Sequence, residues 1–462
     1  MTGSRPSPST MQGPARLAFI LLLALLVVLW LGGGASRADV LGQVFVRASA
    51  WAILIGTILF LPRPNWGLVA PPAVLLASAI LLVALQLVPL PPALWQALPG
   101  RDVLAESVQL TGTEAPWLPI SISPEATLNA LGSLIVPVTV LVLMSHIGEQ
   151  SFRPLTAAIV FLILAACVLG LFQFSGAAFN HPLINNAPGE VSGSFANRNH
   201  FALFVAIGCL LAPCYAMSSE HRSGLALPVS LAFVLLCVIV TLAIGSRAGL
   251  ILTGIAVPLA LLIVRKPLGH QLRRLRGIWR AAIIGAAALA FAAVMAAAIF
   301  LNRAVTIERI SAGGTEVDLR SSIRPTLLEM IEKYFPVGTG YGTFDPAYRI
   351  DEPSELLGPR YVNLAHNDLL QVPLDGGLLG GILLLCAIGW LVWATFKAWR
   401  PGQPIRARAA SGVLFLVLVA SALDYPARTP MIMALVVIAA AWLNSPGGAS
   451  PPRRSPERVY PT

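Results

Sequence analysis

The stretches D-L-R-S-S-I-R-P-T-L-L-E-M-I-E-K-Y-F-P-V-G-T-G-Y-G-T-F (Asp318–Phe344) and A-H-N-D-L-L-Q-V-P-L-D-G-G-L-L-G (Ala365–Gly380) mark a polar segment, Asn302–Pro373, set between two long apolar runs. The segment carries 10 of the chain's 21 acidic residues and 7 of its 31 Lys and Arg. Almost everything on either side is apolar. A chain of 462 residues that is 56% hydrophobic and 11% charged, with mean hydropathy +0.77, exceeds what a water-soluble core can bury. The fold class expected is an all-α integral membrane protein with about 12 transmembrane helices and one long loop containing short helices. The spans are expected at about residues 17–35, 46–62, 68–90, 127–145, 155–174, 200–217, 226–244, 248–264, 281–301, 374–396, 407–423 and 429–444, each near the ~20 residues a bilayer needs.

The net charge of +10 does not point to nucleic acid, because the basic residues cluster in short connections between apolar runs. Arg265–Arg280 carries six basic residues and no acid, and Lys397–Arg408 four and no acid. With the N-terminus inside, 18 Lys and Arg fall inside and 13 outside, seven of the latter in the long loop that the positive-inside rule does not count. Both termini are therefore expected in the cytoplasm and the long loop on the far side. The domain plan is a cytoplasmic tail (1–16), helices one to nine (17–301), the loop (302–373), helices ten to twelve (374–444) and a second, disordered cytoplasmic tail (445–462). Leu17–Leu31 lacks a clear A-x-A cleavage pattern and reads as a retained signal anchor. The five cysteines all lie in apolar runs and read as small buried hydrophobes.

Several polar residues stand out against this background. Arg247, in I-G-S-R-A-G-L, lies at an external helix junction. It reads either as a cation snorkelling to headgroups or as a fixed guanidinium for an anionic lipid headgroup. Arg320 and Arg324 share a helix face, with Leu319, Ile323, Leu327, Ile331 and Tyr334 as an apolar stripe and Pro325 starting or kinking the helix. Their bland reading is pairing with Glu316, Asp318 or Glu329. His366 is the loop's one histidine; it is either structural or a proton acceptor for a hydroxyl, with Asn367 and Asp368 to orient it or the acceptor. Asn197 and Asn199 either cap a helix or bind sugar hydroxyls or phosphate. Arg428, in L-D-Y-P-A-R-T-P, has Asp424 nearby as an ion-pair partner. G-T-G-Y-G-T-F follows a helix rather than a strand, so it is a tight turn or a close backbone approach and no dinucleotide fingerprint. No metal site is expected, since one histidine among scattered carboxylates has no H-x-x-x-H or D-x-D spacing.

The ordered set G-S-F-A-N-R-N-H-F-A (Gly193–Ala202), G-S-R-A-G (Gly245–Gly249), R-x-x-I (Arg320–Ile323), P-V-G-T-G-Y-G-T-F (Pro336–Phe344), A-H-N-D-L-L-Q…D-G-G-L-L-G and A-L-D-Y-P (Ala422–Pro426) resembles the O-antigen ligase/polymerase superfamily of bacterial membrane proteins. The resemblance implies a GT-C-like, metal-independent glycosyltransferase with no cofactor. Such an enzyme moves a glycan from a polyprenyl-diphosphate carrier to a hydroxyl acceptor (lipid A core, growing polysaccharide or protein) on the periplasmic face of the inner membrane. Arg247 and Arg320 would then hold the diphosphate and His366 would act as base or position the acceptor. Asn197, Asn199, Arg324, Asn367, Asp368 and Arg428 are the expected substrate-binding residues. A transporter or flippase for a lipid-linked or anionic substrate is the alternative, disfavoured because no internal repeat is visible and the spans carry almost no charge. An intramembrane protease would need a second histidine within a helix. Alkaline phosphatase fused after Glu352 is expected to be active and fused after Gly402 inactive; the opposite pattern would invert the orientation.

Overall fold

The computed structural model describes residues 13–148, 151–176, 181–185, 189–218, 225–273, 319–357 and 362–445, with scattered residues between 277 and 296. The expected span at 281–301 and the loop's start at 302–318 lie outside a continuous description. The helices are α1 (Pro14–Gly32), α2 (Leu41–Phe60), α3 (Ala70–Leu85), α4 (Pro92–Trp95), α5 (Asp102–Leu110), α6 (Pro124–Ser133), α7 (Ile135–His146), α8 (Phe152–Phe174), α9 (Arg198–Met217), α10 (Ala226–Ile244), α11 (Arg247–Leu272), α12 (Leu319–Tyr334), α13 (Phe344–Asp351), α14 (Asp368–Ala398), α15 (Ile405–Leu423) and α16 (Pro430–Asn444). Among the described residues nine segments are long and apolar enough to cross a membrane, α6 and α7 together making one of them, and α3 and α16 are shorter apolar helices. The only sheet among them is one antiparallel pair, Pro89–Leu90 with Leu118–Pro119. The protein is an all-α integral membrane protein, as expected.

Helix α9 is the axis. Nearly all of its residues are buried, Phe201 through Leu211 without a gap, against α8, α10, α11 and α15. A helix apolar on every side is stable only when surrounded in this way. The helices expected at 226–244 and 248–264 do meet almost without a connection: Gly245 ends α10 at φ 63°, and Ser246 caps α11 by accepting from the Gly249 amide at 3.0 Å. The span expected at 127–145 is instead two helices that meet at Leu134. Pro137 has no N–H to give the Ser133 carbonyl and crowds it, so the ladder breaks one turn earlier.

The polar loop has its own small core. Ile323, Leu327, Met330 and Tyr334 form the buried stripe of α12 and meet Phe344, Ala347 and Tyr348 of α13 together with Leu374. Helix α12 runs through Pro325 rather than beginning after it. Helix α14 starts at Asp368, ahead of the expected 374, and Gly377 interrupts it at φ 58° and ψ −149°. The part that continues, Leu378–Ala398, has the length of a single span.

Gly338, Gly340 and Gly342 all have positive φ. A Cβ on Gly338 would stand 2.6 Å from the Gly377 amide nitrogen, and one on Gly342 2.8 Å from the Ala126 carbonyl oxygen. The close approach permitted by this G-x-G-x-G run is therefore to other backbone. Thr339 and Gly340 donate to the carbonyls of Leu374 and Asp375, and Leu378 donates to that of Pro336 at 2.8 Å. Gln86, at the end of α3, completes the joint: its amide donates to the Asp375 carbonyl at 2.9 Å and its Oε1 accepts from the Tyr341 amide at 3.0 Å. Arg101, 2% exposed, donates to the carbonyls of Gly338 and Ile120. Burial lowers its guanidinium to about 10, with Tyr334 acting in the opposite sense. The glycine-rich turn and Gln86 are thus locked to α14 at its break, and Arg101 ties the Ile120 segment to that turn.

The connections that the basic-residue count assigns to the external side come together at one end. Gly42 donates to the Leu183 carbonyl, Ala196 to that of Gly34, and Met431 to that of Gly33. Gly377→Ala would place a Cβ 2.2 Å from the Pro336 carbonyl oxygen at a φ that L-residues avoid, and is expected to cost at least about 2 kcal/mol. Gly389→Ala, in the same helix with open space around it, should be neutral or stabilise by about 0.5–1 kcal/mol. Thermal unfolding of the detergent-solubilised protein separates the two.

Candidate active site

The polar end is built around Asp424, which follows α15 and is 2% exposed. An ionised carboxylate buried to that degree needs several donors. Asn199 Nδ2 donates to Oδ2 at 2.6 Å and Asn197 Nδ2 at 3.2 Å. His366 Nδ1 lies 3.0 Å from Oδ1, which also accepts from the Tyr425 amide at 3.1 Å. The Asp424 carbonyl accepts from the Asp368 amide. Asn197 also caps α9, accepting from the Asn199 amide at 2.8 Å. Asn199 Oδ1 accepts from Ser246 Oγ at 2.6 Å, and Ser246 directly precedes Arg247. A continuous chain of bonds therefore runs from His366 through Asp424 and Asn199 to the junction that presents Arg247, which is exposed.

His366 has φ 50°, a left-handed conformation that costs a non-glycine residue about 1–2 kcal/mol. Its loop is held on both sides: the Ala365 amide donates to Gln371 Oε1, and Asn367 caps α14 through the Leu370 amide while donating to the Ala422 carbonyl. Tyr425 packs against both His366 and His200, with ring centroids 5.0 and 4.9 Å apart. With Nδ1 engaged by the Asp424 carboxyl group, Nε2 is the ring nitrogen left for another partner. The side chain keeps 25% of its surface exposed.

Arg428 belongs to a second cluster. Its Nε donates to Asp368 Oδ1 and its Nη2 to Asp375 Oδ2, both at 3.2 Å. The expected pairing with Asp424 is replaced, because Asp424 turns toward α9 while Arg428 turns toward α14. Asp368 further accepts from Ser421 and the Ala427 amide, and Asp375 from Gln371 and the Gly342 amide. Burial opposes the charge on Arg428, but Asp375 and Asp368 outweigh it and hold the guanidinium above its ordinary range. Arg324 is exposed, on the face of α12 away from its core. Arg320 is in α12, but its side chain lies outside the described residues, so its expected partnership with Arg247 is not part of the observed geometry.

Of the nine residues singled out from the sequence, His366, Asn197, Asn199 and Asn367 meet around Asp424 and its helix end, and Asp368 and Arg428 form the neighbouring cluster. Arg247 is joined through Ser246, Arg324 stands apart on α12, and the Arg320 side chain lies outside the described residues. Sequence reading took Asp424 only as a partner for Arg428 and passed over Asp375, Ser246 and Gln371. An acid inside an apolar run, as in P-L-D-G-G-L-L-G, was the available signal for Asp375.

A cavity of about 1120 Å³ reaches the site from one side. Asp368, Arg428 and Tyr341 line one part of it, Arg37, Asp39, Arg47, Glu125 and Asp345 are also in its wall, and apolar side chains of α3, α14, α15 and α16 line much of the rest. Neither Arg247 nor His366 is part of its wall.

Residues 231–385 match the family model described as O-antigen ligase. The matched region takes in Arg247, α12 and His366, and it supports assignment of the chain to the O-antigen ligase superfamily. The match spans about a third of the chain, and over those residues the chain is similar to O-antigen ligases. No curated protein matches the chain.

Removing Arg428 would leave two carboxylates buried without their cation. Arg428→Ala is expected to destabilise by about 3–5 kcal/mol, and adding Asp375→Asn should recover part of that, as read from thermal unfolding.

Proposed function

We propose that the chain transfers a glycan from a polyprenyl-diphosphate carrier to a hydroxyl acceptor on the periplasmic face of the bacterial inner membrane. The observation that carries this reading is the fixed His366–Asp424 pair, tied through Asn199 to the Arg247 junction. His366 Nε2 takes the proton as the acceptor oxygen bonds to the anomeric carbon. The bond from that carbon to the diphosphate oxygen breaks, and the diphosphate leaves as an anion. Arg247 and Arg320 neutralise the charge that develops on it, in the role a metal fills elsewhere. Most of the rate is expected from alignment and charge stabilisation, since diphosphate is already a good leaving group.

Asn197, Asn199 and Asn367 act through Asp424 and the α14 cap, because their amide groups are already engaged by the protein. Asp368 and Arg428 fix the break in α14 beside the site. Arg324 is a glycan contact from the exposed face of α12. Lipid A core, growing polysaccharide and protein are acceptors of one chemistry, and the products distinguish them.

Deleting the gene in its host should remove long-chain or capped surface glycan. Wild type should restore it, whereas Arg247→Ala, Arg320→Ala and His366→Ala should fail to do so at normal membrane levels. In a reconstituted assay, His366→Ala should lower the transfer rate by about 100-fold or more, and Asp424→Asn should lower it less while shifting its pH profile. Single repeats on the acceptor would identify a polymerase, and long chains stranded on the carrier a ligase. Unchanged glycans, or full complementation by the three variants, would overturn the assignment.

A further inference from the structure

Helix α2 carries a charge that the site above does not use. Arg47 lies within this membrane-crossing helix, is half-buried, and faces the large cavity. Its Nη1 donates to Asn129 Oδ1 of α6 at 2.8 Å, while its Nε is buried with no hydrogen-bond partner. The other charges in the cavity wall are accounted for differently. Arg37 pairs with Asp39, Arg428 with Asp368 and Asp375, and Asp345 with Arg349, while Glu125 is exposed at the start of α6. A cation in a membrane helix that meets only a neutral amide marks a site for an anion. Gly132 lies beside it, where a Cβ would stand 3.4 Å from Nη1, so the guanidinium comes close to α6.

Much of the remaining wall is apolar. Leu76, Val83, Leu384, Leu391, Val417 and Val436 line it, on α3, α14, α15 and α16. Arg47 at the wall of such a cavity defines an amphiphile with a hydrocarbon chain and an acidic head. We infer that this cavity binds a phosphate-bearing lipid through Arg47 at a site separate from the one that Arg247 serves. The inference rests on the transferase reading only in taking Arg247 for the donor's diphosphate. Asn363 and Leu364 of the loop bearing His366 line the cavity, whereas His366 itself bonds Asp424 and, like Arg247, is not in its wall. An ordinary bilayer phospholipid would satisfy the same chemistry.

The test is lipid binding by the full chain in detergent, read by native mass spectrometry. The probes are a long-chain polyprenyl monophosphate, the neutral polyprenol of equal length, and phosphatidylglycerol. The expected result is Arg47-dependent binding of a phosphate lipid, weakened about tenfold or more in Arg47→Ala and largely kept in Arg47→Lys, with polyprenol binding equally weakly to all three. Whichever phosphate lipid shows that dependence identifies the source. Arg247→Ala should leave the Arg47-dependent lipid in place. If Arg47→Ala binds as wild type, or if the neutral polyprenol binds as tightly as the phosphate, the site is overturned. If Arg247→Ala alone removes all bound lipid, there is one lipid site and not two; the separate site falls while the transferase assignment survives. Should Arg47→Ala fail to fold, Arg47→Lys and the cavity-filling Ala79→Trp carry the test, and normal lipid binding by Ala79→Trp would overturn it.

Discussion

Asp424 places a negative charge where almost no water reaches it, and much of the polar end is arranged to answer that charge. Two asparagines from the start of α9, a histidine from the long loop and a backbone amide all point at one carboxyl group. Each net bond to an ionised group is worth roughly 1.5–3 kcal/mol, and leaving the charge unmet would cost more than any one of them returns. The carboxylate therefore sets the relative positions of three chain segments far apart in sequence. It also holds the His366 ring in place through Nδ1.

The same logic operates at the break in α14. Gly377 releases the helix from its regular path, and the glycine-rich turn, Gln86 and Arg101 take up backbone groups around that break. Arg428 bridges Asp368 and Asp375 across it. A helix interrupted near a membrane surface is tolerated only when its freed backbone groups find protein partners, and here they do. The loop that carries His366 is thus attached to a rigid frame rather than suspended over the bundle.

Much of this was legible in the sequence, for definite reasons. Apolar runs of bilayer length announce membrane helices by composition alone, and the polar loop stands out against them by contrast. The α12 stripe could be read from its spacing, and Asn197 as a cap from its place before an apolar run. The pairing of acids and bases could not be read in this way. Asp424 and Arg428 lie four residues apart, but the short turn at Pro426–Arg428 sends them to opposite sides. Gln86 and Asp375 meet across 289 positions, and local patterning is silent at that range. The G-T-G-Y-G-T-F run shows the same limit, since its glycines could be recognised as permitting close approach but not what it is that approaches.

The burial of α9 has a consequence for the order in which the protein is made. Its start carries the two asparagines that answer Asp424, yet Asp424 is synthesised more than two hundred residues later, near the end of the chain. Helices α10 and α11 follow α9 directly from the ribosome and can cover much of it at once. Helix α15, which covers another side and ends just before Asp424, arrives only after the long loop has been made. Until then Asn197 and Asn199 lack the acceptor for which they are placed, and His366 lacks its partner. Completion of the polar end is therefore a late event of synthesis, and a chain released before α15 lacks the carboxyl group around which that end is arranged.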